Sequence, residues 1–226
     1  MLKELKNPLR LSFIGGGINS SIGKIHFMAS QLDKNFSIES GFFSRDKKTN
    51  IETQKQYNIN INRIYNNLDN LLANEGKKVD LFVVLAPTPN HYEILKKLIL
   101  NNVNIIVEKP ILSNFDEVKK LKKYLKGYNK KIYVVHNYIG YPAIREIQQL
   151  IQSNKFGKLL NFKLQMAQES FLRVQRKDQK VKIWRKHDHK IPNLFLDLGI
   201  HLFNLSNFLI NKTPDSVLCD VQKIKN

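Results

Sequence analysis

The feature that most constrains this chain is the alternation of short apolar runs with longer amphipathic segments through its first 136 residues. Each apolar run has the length of a buried strand and is bounded by polar or turn-forming residues. Six strands are predicted, at residues 9–14, 36–43, 63–65, 80–85, 103–107 and 131–136. Strands that alternate with helices are typical of βαβ units, so we predict an α/β fold with a parallel sheet.

The segments between these runs are predicted to be helices, and in residues 20–32, 89–99 and 113–125 apolar residues recur at helical spacing. They cover residues 20–32, the stretch up to 57, and residues 68–74, 89–99 and 113–125. The last of them is predicted to be capped by Ser113 and to turn Phe115, Val118, Leu121 and Leu125 inward.

The pattern changes after Asn137, where we place a domain boundary between residues 1–137 and 138–226. Helices are predicted over 141–153 and 195–210, and strands over 158–169 and from 216 to 221. The second domain is therefore expected to be a partial α/β (α+β) domain with an open sheet. A sheet that stops there would leave an open edge and uncovered apolar surface.

Composition excludes several classes of protein. With 42% hydrophobic residues the chain has material for a core, which excludes a wholly disordered chain. It has no apolar stretch of transmembrane length, and the apolar run near its start is too short for a signal peptide. Its one cysteine, Cys219, excludes an internal disulfide and fits a reducing compartment, so we expect a cytoplasmic protein.

The formal net charge of +18 is the most unusual number in the composition. Such a charge would attract nucleic acid, anionic lipid or an acidic metabolite. The alternative is a general lysine and asparagine bias, because the lysines are spread over polar helix faces and no nucleic-acid-binding motif accompanies them. We therefore expect no nucleic acid and no membrane as partners.

The first chemical signal is Gly15-Gly-Gly17-x-x-Ser20-x-Ile22-Gly23, which follows the first strand and opens the first helix. Glycines at such a junction let the backbone turn sharply and approach a pyrophosphate at the helix start. Ser20 replaces the third glycine of the G-x-G-x-x-G pattern. The motif indicates a dinucleotide site, the alternative being a glycine-rich turn without a ligand.

The second strand ends at Ser44-Arg45, where an NAD-selective site usually carries an acidic residue for the ribose hydroxyls. Here the acidic residue is displaced to Asp46, and Arg45 is suited to a 2′-phosphate. The prediction leans slightly to NADP over NAD, the alternative being a solvated loop arginine.

Two further segments lie at carboxyl ends of strands, where open α/β sheets bind ligands. His91 ends the first, 86–91, and is either a first-turn residue of a helix or a wall of the cofactor pocket. The second is Glu108-Lys109-Pro110, whose lysine can act as an acid or base where burial and neighbouring charge lower its pKa.

Asp197 and His201 are four residues apart, so on a helix they share one face. A carboxylate and an imidazole so placed can hold and deprotonate a sugar hydroxyl, and they can also bind a metal or serve only as a cap and a core hydrogen bond. No further ligand cluster supports a metal, and His187-Asp-His189 is a loose tract in a basic loop. We expect no metal site.

These segments together resemble the glucose–fructose oxidoreductase / inositol dehydrogenase / MocA (Gfo/Idh/MocA) family over nearly the whole chain. The shared motifs are the glycine motif continued to His26, Thr-Pro-Asn-His at 88–91, Glu-Lys-Pro at 108–110 and Asp-x-Gly-x-His at 197–201. A subgroup also carries His-Asn-Tyr-x-Gly-Tyr-Pro at 136–142, Ala-Gln at 167–168 and Trp-Arg at 184–185.

The resemblance implies a Rossmann doubly wound parallel sheet in residues 1–137, a sugar, inositol or related polyol substrate, and hydride transfer with NAD or NADP. It implies Lys109 and His201 as acid/base residues and Asp197 as the residue that orients the substrate hydroxyl. The cofactor-site prediction comprises Gly15, Gly17, Ser20, Ile22, Ser44, Arg45, Thr88, Asn90, His91, Glu108, Asn137, Trp184 and Arg185.

Members of the family usually continue well beyond this point, so the chain is expected to be a fragment, a truncated product or one part of a split enzyme. A homo-oligomer is expected once the second domain is completed. The rival interpretations are a nicotinamide-nucleotide-binding protein without turnover and a basic nucleic-acid-binding protein. A basic stretch between Phe171 and Lys190 further suggests an anionic substrate, the alternative being a solvated loop.

Overall fold

The structure is a computed structural model that describes residues 7–167 and 191–222. The described chain divides into two compact units. The first contains residues 7–135 and 191–196, and the second contains residues 136–167 and 197–222. No helix in these ranges is long and apolar enough to span a membrane.

The first unit is built on a five-stranded parallel sheet in the order β2-β1-β3-β4-β5. Its strands are β1 (Leu9–Gly15), β2 (Phe36–Phe42), β3 (Leu81–Leu85), β4 (Ile105–Val107) and β5 (Ile132–Val134). Its helices are α1 (Ser21–Leu32), α2 (Lys47–Tyr57), α3 (Leu68–Glu75), α4 (His91–Leu100) and α5 (Phe115–Tyr124), with short 3-10 turns at Ile61–Arg63 and Thr88–Asn90. The parallel α/β sheet predicted from the alternation of strands and helices is confirmed, and so is the Rossmann-type, doubly wound fold that the family resemblance implies.

The core lies on both faces of this sheet, because successive side chains of a strand point to opposite faces. On β3, Phe82 and Val84 pack into one apolar cluster together with Leu95 and Leu98 of α4. Their neighbours Val83 and Leu85 belong to a second cluster with Phe13, Phe43 and Tyr57. Covering both faces with helices leaves the carboxyl ends of the strands as the open edge of the layer.

The predicted third strand at 63–65 is wrong as a strand. The chain makes a 3-10 turn at Ile61–Arg63, and only one bridge joins Ile64 to Gly41 of β2. The amide of Tyr65 adds a hydrogen bond of 2.9 Å to the Gly41 carbonyl oxygen. Residues used in a turn cannot extend a ladder, so the described sheet has five strands and not the predicted six.

Helix α5 differs from its prediction at its cap and at its inner face. Asn114 is the N-cap, because its side-chain oxygen accepts the Glu117 amide at 2.9 Å. Ser113 instead donates its amide and hydroxyl to the Glu117 carboxylate at 3.1 and 3.0 Å. Of the four residues predicted inward, Leu121 is buried, whereas Phe115, Val118 and Leu125 are exposed. The apolar period gives the helix face but not whether another element covers it.

The second unit contains a 3-10 turn at Asn137–Gly140, helix α6 (Pro142–Gln152), a π-helical turn at Phe195–Gly199, which begins at the end of the first unit, and helix α7 (Ile200–Ile210). The Gln148 side chain of α6 donates to the Phe208 carbonyl of α7 at 2.6 Å. Residues 158–167 and 216–221 have no strand assigned, which corrects the two strand predictions there. Alternate burial of Phe162, Leu164 and Met166 persists, but no segment among the described residues of this unit forms a ladder with them.

Candidate functional site

The glycine segment forms a sharp turn between β1 and α1. Gly15 has a φ of +82°, which L side chains rarely adopt, and a Cβ there would lie 2.7 Å from the nitrogen of Ala86, the first residue after the neighbouring strand β3. The first intrahelical hydrogen bond of α1 runs from the Lys24 amide to the Ser20 carbonyl oxygen. The amides of Ser21 and Ile22 precede that bond, and such helix-start amides are suited to an anion.

In the G-x-G-x-x-G pattern the third glycine lets the helix pack closely against the turn. In this chain Gly23 has that role. A Cβ at Gly23 would overlap the carbonyl oxygen of Gly16. Ser20, which occupies the third position of the pattern, is the N-cap, and its hydroxyl accepts the Gly23 amide at 3.2 Å. The replacement by Ser20 therefore leaves the tight packing of the turn against α1 in place.

Helix α2 holds this turn from the side, and the sequence prediction missed its contribution. The Thr53 hydroxyl, fully buried, accepts the Ile18 amide at 3.0 Å and donates to the Thr49 carbonyl at 2.6 Å. The Tyr57 hydroxyl donates to the Gly16 carbonyl at 3.3 Å, and burial raises the pKa of Tyr57. The Tyr57 ring stacks on Phe27 of α1 with centroids 4.1 Å apart.

A second set of α2 contacts fixes the end of β2. The Asn50 side-chain oxygen accepts the Phe43 and Ser44 amides at 3.1 and 2.9 Å, and its nitrogen donates to the Ser44 carbonyl at 2.9 Å. Asp46 caps α2 by accepting the amide and the hydroxyl of Thr49 at 2.8 and 2.7 Å. These bonds, led by that of the hydroxyl, hold the pKa of Asp46 below its usual value.

A cavity of about 630 Å³ opens at the carboxyl ends of β1, β2 and β3. Four of the predicted cofactor residues line it: Gly15, Ser44, Arg45 and Asn90. Its other walls come from β-strand ends, the loop after β3 and helices α3 and α4, namely Ile14, Phe42, Phe43, Leu68, Ala86, Pro87, Pro89, Glu93, Ile94 and Lys97. The cavity lies at the edge of the sheet where α/β folds bind dinucleotides.

His91 is fully buried at the start of α4, and Thr88 is buried in the preceding 3-10 turn. The His91 ring nitrogens lie 2.8 Å from the Ala86 carbonyl oxygen and 3.1 and 3.2 Å from those of Pro110 and Ile111. Burial holds the pKa of His91 below its usual value against the opposing effect of these carbonyls. The ring therefore ties the two loops after β3 and β4, and a cofactor contact of His91 stays a prediction.

The Glu-Lys-Pro segment follows β4, with Lys109 half-buried before a cis Pro110. Glu108 accepts from His26 of α1 at 2.7 Å through one carboxylate oxygen. Its other oxygen accepts the Lys109 amide at 3.2 Å. Glu108 thus links α1 to the backbone of the predicted catalytic lysine. In the sequence, His26 is identified only as the last residue of the family's glycine motif, without this contact.

In the second unit His201 is buried on the first turn of α7. Its ring packs edge-on against Tyr138, with centroids 4.7 Å apart, and against His136 at 6.3 Å. Asp197 lies in the π-helical turn just before α7, and Asn137 is exposed in the 3-10 turn that begins this unit. Two aromatic rings therefore pack against the imidazole, and the acid/base role of His201 stays a prediction.

The remaining predictions lie on residues 168–190, outside the described residues. They are Trp184 and Arg185, the His187-Asp-His189 tract and the basic stretch between Phe171 and Lys190. Within the described ranges, no group of three or more His, Cys, Asp or Glu side chains is placed to hold a metal ion.

Comparison with family models matches both parts of the chain. Residues 9–136 match the Gfo/Idh/MocA oxidoreductase family with an NAD-binding Rossmann fold. Residues 144–226 match the C-terminal domain of the same family. At the level of the family, a nicotinamide dinucleotide, NAD or NADP, is thereby confirmed as the cofactor.

Curated relatives of this chain include proteins named as uncharacterized oxidoreductases. The uncharacterized oxidoreductase YfiI of Bacillus subtilis is 27% identical over 228 residues, which is 96% of this chain and 58% of that protein. An uncharacterized oxidoreductase of Schizosaccharomyces pombe is 24% identical over 221 residues, 95% of this chain and 55% of that protein. The chain spans about half the length of the curated relatives it matches.

Solved structures show the same fold. An inositol dehydrogenase homolog from Azotobacter vinelandii, complexed with NADH and myo-inositol, superposes with a TM-score of 0.74 at 21% identity, covering 93% of this chain and 54% of that one. An oxidoreductase from Desulfitobacterium hafniense described as NADPH-dependent superposes with a TM-score of 0.74 at 20% identity, covering 91% of this chain and 56% of that one.

Proposed function

The chain belongs to the Gfo/Idh/MocA family of oxidoreductases, and on that premise we propose that it takes part in hydride transfer between NAD(P) and a hydroxyl or carbonyl of a sugar, inositol or related polyol. The observation that carries the proposal is the β1–α1 glycine turn, whose Gly15 forms a wall of the cavity at the strand ends. The myo-inositol bound to the Azotobacter homolog supports a polyol.

The residues of this chain fit a bound dinucleotide. The glycine turn leaves no room for a Cβ at Gly15, so backbone and not side chain meets a ligand there. The helix-start amides of Ser21 and Ile22 are suited to the pyrophosphate, and Ser44 and Arg45 to the adenosine ribose. When bound, the nicotinamide supplies the hydride chemistry.

The proton is handled by the chain's own side chains. Lys109 or His201 accepts the hydroxyl proton during oxidation and returns it during reduction, and Asp197 orients the hydroxyl. The carboxylate of Glu108, held by His26, fixes the backbone of Lys109 through its amide. Alignment of this kind, with proton transfer by positioned groups, is what a protein adds to a nicotinamide reaction.

The cofactor preference we propose is NADP. Arg45 is at the wall of the cavity and exposed, so its guanidinium is available to a phosphate. The nearby carboxylate of Asp46 is bound to Thr49 and caps α2. One oxygen of this carboxylate is therefore engaged in the cap, which disfavours Asp46 as the acidic partner that an NAD site usually offers to the ribose 2′-hydroxyl at this turn.

The test is a turnover assay with both cofactors against neutral polyols, sugar acids and phosphorylated sugars. Oxidation of any of them with reduction of NADP+ supports the proposal, and the same preparation should bind NADPH. No turnover with tight NADPH binding would favour the second candidate, a cofactor-binding protein without turnover.

An anionic substrate is the finer part of the proposal. The sequence between Phe171 and Lys190 has eight lysines and arginines against two aspartates, and clustered charge raises the encounter rate of an anion. Neutralising Arg176, Lys177 and Lys180 should then raise KM for a charged substrate only. An equal response of charged and neutral substrates would point to a neutral polyol.

A further inference from the structure

We propose that Asn50 sets the preference for NADPH over NADH by positioning the turn that carries Arg45. The inference rests on the proposed dinucleotide site and assigns a specificity role to a residue outside every motif of the sequence. Asn50 lies in the first turns of α2 and is 2% exposed. It does not line the cavity, so it acts through the backbone it holds.

The contacts of Asn50 converge on the two residues that precede Arg45. Its side-chain oxygen accepts two consecutive amides, those of Phe43 and Ser44, and its nitrogen donates to the Ser44 carbonyl. An amide side chain of this length places a double acceptor and a donor on two separate atoms, whereas a carboxylate lacks the donor and the shorter hydroxyl of serine would have to make all three bonds with one atom. The Ser44 peptide groups are thereby fixed from both sides.

The residue after Arg45 is also held. The amide of Asp46 donates to the Ser44 hydroxyl at 3.1 Å, and its carboxylate is bound to Thr49. Arg45 is therefore an exposed side chain on a backbone anchored before and after it. An arginine placed in advance loses less conformational entropy when it binds a phosphate, which increases its contribution to affinity.

The 2′-phosphate of NADPH allows a positioning role of Asn50 to be distinguished from a general contribution to the stability of the fold. NADPH has that phosphate and NADH does not, so a displaced Arg45 weakens the first cofactor and spares the second. Thr53 gives the contrast on the same helix, because its hydroxyl holds the Ile18 amide in the glycine turn. Both cofactors share the pyrophosphate that this turn is proposed to bind, so a defect at Thr53 weakens both.

The experiment measures dissociation constants of NADPH and NADH by fluorescence, and of adenosine 2′,5′-bisphosphate and 5′-AMP by calorimetry. For Asn50→Ala we expect about a tenfold loss for NADPH and for the bisphosphate, the size of one hydrogen bond to a charged group. The constants for NADH and 5′-AMP should change by less than about twofold. Thr53→Val should weaken NADPH and NADH alike, and Gln56→Ala, an exposed position of the same helix, should change neither.

A double-mutant cycle tests whether Asn50 acts through Arg45. In an Arg45→Ala background, Asn50→Ala should cause no further loss of NADPH affinity. Should Asn50→Ala fail to fold, Asn50→Ser serves in the same cycle, since its single, shorter hydroxyl replaces only part of the three bonds and the expected selectivity loss is intermediate.

The two proposals fail in different ways. In the first case, the wild type prefers NADPH and the preference depends on Arg45, but the Asn50 variants lose affinity for NADPH and NADH equally, or lose further NADPH affinity in the Arg45→Ala background. That result overturns the role of Asn50 alone. A wild type without a preference that depends on Arg45 overturns the NADP proposal, and the role of Asn50 with it.

Discussion

Replacing Arg63 by methionine should expose how much the buried carboxylate of Glu75 depends on one cation. The guanidinium bridges two carboxylates, with nitrogen–oxygen distances of 2.6 and 3.1 Å to Glu75 and 2.7 Å to Glu39. The Glu75 side chain is 0% exposed, whereas those of Arg63 and Glu39 are 25% and 34% exposed. Methionine keeps an unbranched apolar stem, is shorter than arginine and removes its charge.

Two routes give the same magnitude at pH 7. Leaving a buried carboxylate without its cation costs about 3–5 kcal/mol. Protonating Glu75 instead, from its ordinary pKa of 4.5, costs about 3.4 kcal/mol at about 1.4 kcal/mol per pH unit. The half-exposed contact with Glu39 adds at most about 1 kcal/mol. We therefore expect Arg63→Met to lower the free energy of unfolding by about 3 kcal/mol.

The pH dependence gives the sharper result. Burial alone would raise the pKa of Glu75, but hydrogen bonds from Arg63 and Tyr65 outweigh it and hold the pKa below 4.5. In wild type this contribution is present above pH 4.5 and is lost as pH falls through the lower folded value. In Arg63→Met the folded pKa rises above 4.5, so the unfolded chain binds fewer protons and stability falls as pH rises.

Urea unfolding followed by circular dichroism at pH 5, 6 and 7 measures the difference between wild type and variant. The difference should widen by up to about 1.4 kcal/mol per pH unit until Glu75 ionises in the folded variant. The matched control is the double variant Arg63→Met/Glu75→Gln, whose difference from wild type should stay nearly constant across this range. A difference for Arg63→Met that stays constant from pH 5 to 7 would refute the reasoning.

Three other predictions concern the candidate site. Gly17→Val should abolish the fluorescence enhancement of bound NAD(P)H while the circular dichroism is retained. A Cβ at this position would lie 3.2 Å from Thr49 and Thr53, so the larger side chain displaces the turn that is proposed to bind the cofactor. An unchanged cofactor affinity would show that this turn is not part of the site. Lys109→Ala should reduce kcat by at least about 10²-fold with a much smaller change in cofactor affinity, and a near-normal kcat would move the role to His201. Burial is the main cause that lowers the pKa of His91, so its ring should stay neutral to below pH 6.5 in an NMR titration. The free energy of unfolding should fall as pH drops below that value. A protonation midpoint at pH 6.5 or above would contradict this prediction.

The sheet could be predicted from the sequence because its strands are short apolar runs separated by helical periods. Phe82-Val-Val-Leu85 is buried on both faces, so every residue carries the signal. Residues 63–65 resemble a strand locally, but whether they pair depends on the turn made by the residues before them. Phe115 shows the same limit of local patterns. Its helical spacing predicts an apolar helix face, but not whether another element packs on that face, and Phe115 is exposed.

The site was only partly predictable for a related reason. The predictable residues are Gly15, Ser44 and Arg45. They lie next to strand ends, where the topology of a parallel sheet alone brings ligand-binding residues to one edge. Asn50 and Thr53 belong to a polar helical stretch and contact residues 6 to 35 positions away in the chain. No local pattern distinguishes a buried asparagine that bonds to backbone from an exposed one. The roles of Lys109, Asp197 and His201 come from the family motif and remain to be tested by substitution.

The single bridge between Ile64 and Gly41 has a consequence for how copies of this protein meet. Strand β2 is an outer strand of the sheet, and outer strands offer free backbone groups to other chains. The segment that replaces the expected strand occupies the Gly41 carbonyl and sets the charged pair of Arg63 and Glu39 against β2. A strand from another molecule would have to displace both, so this side of the sheet is guarded against the edge-to-edge pairing that begins fibril growth.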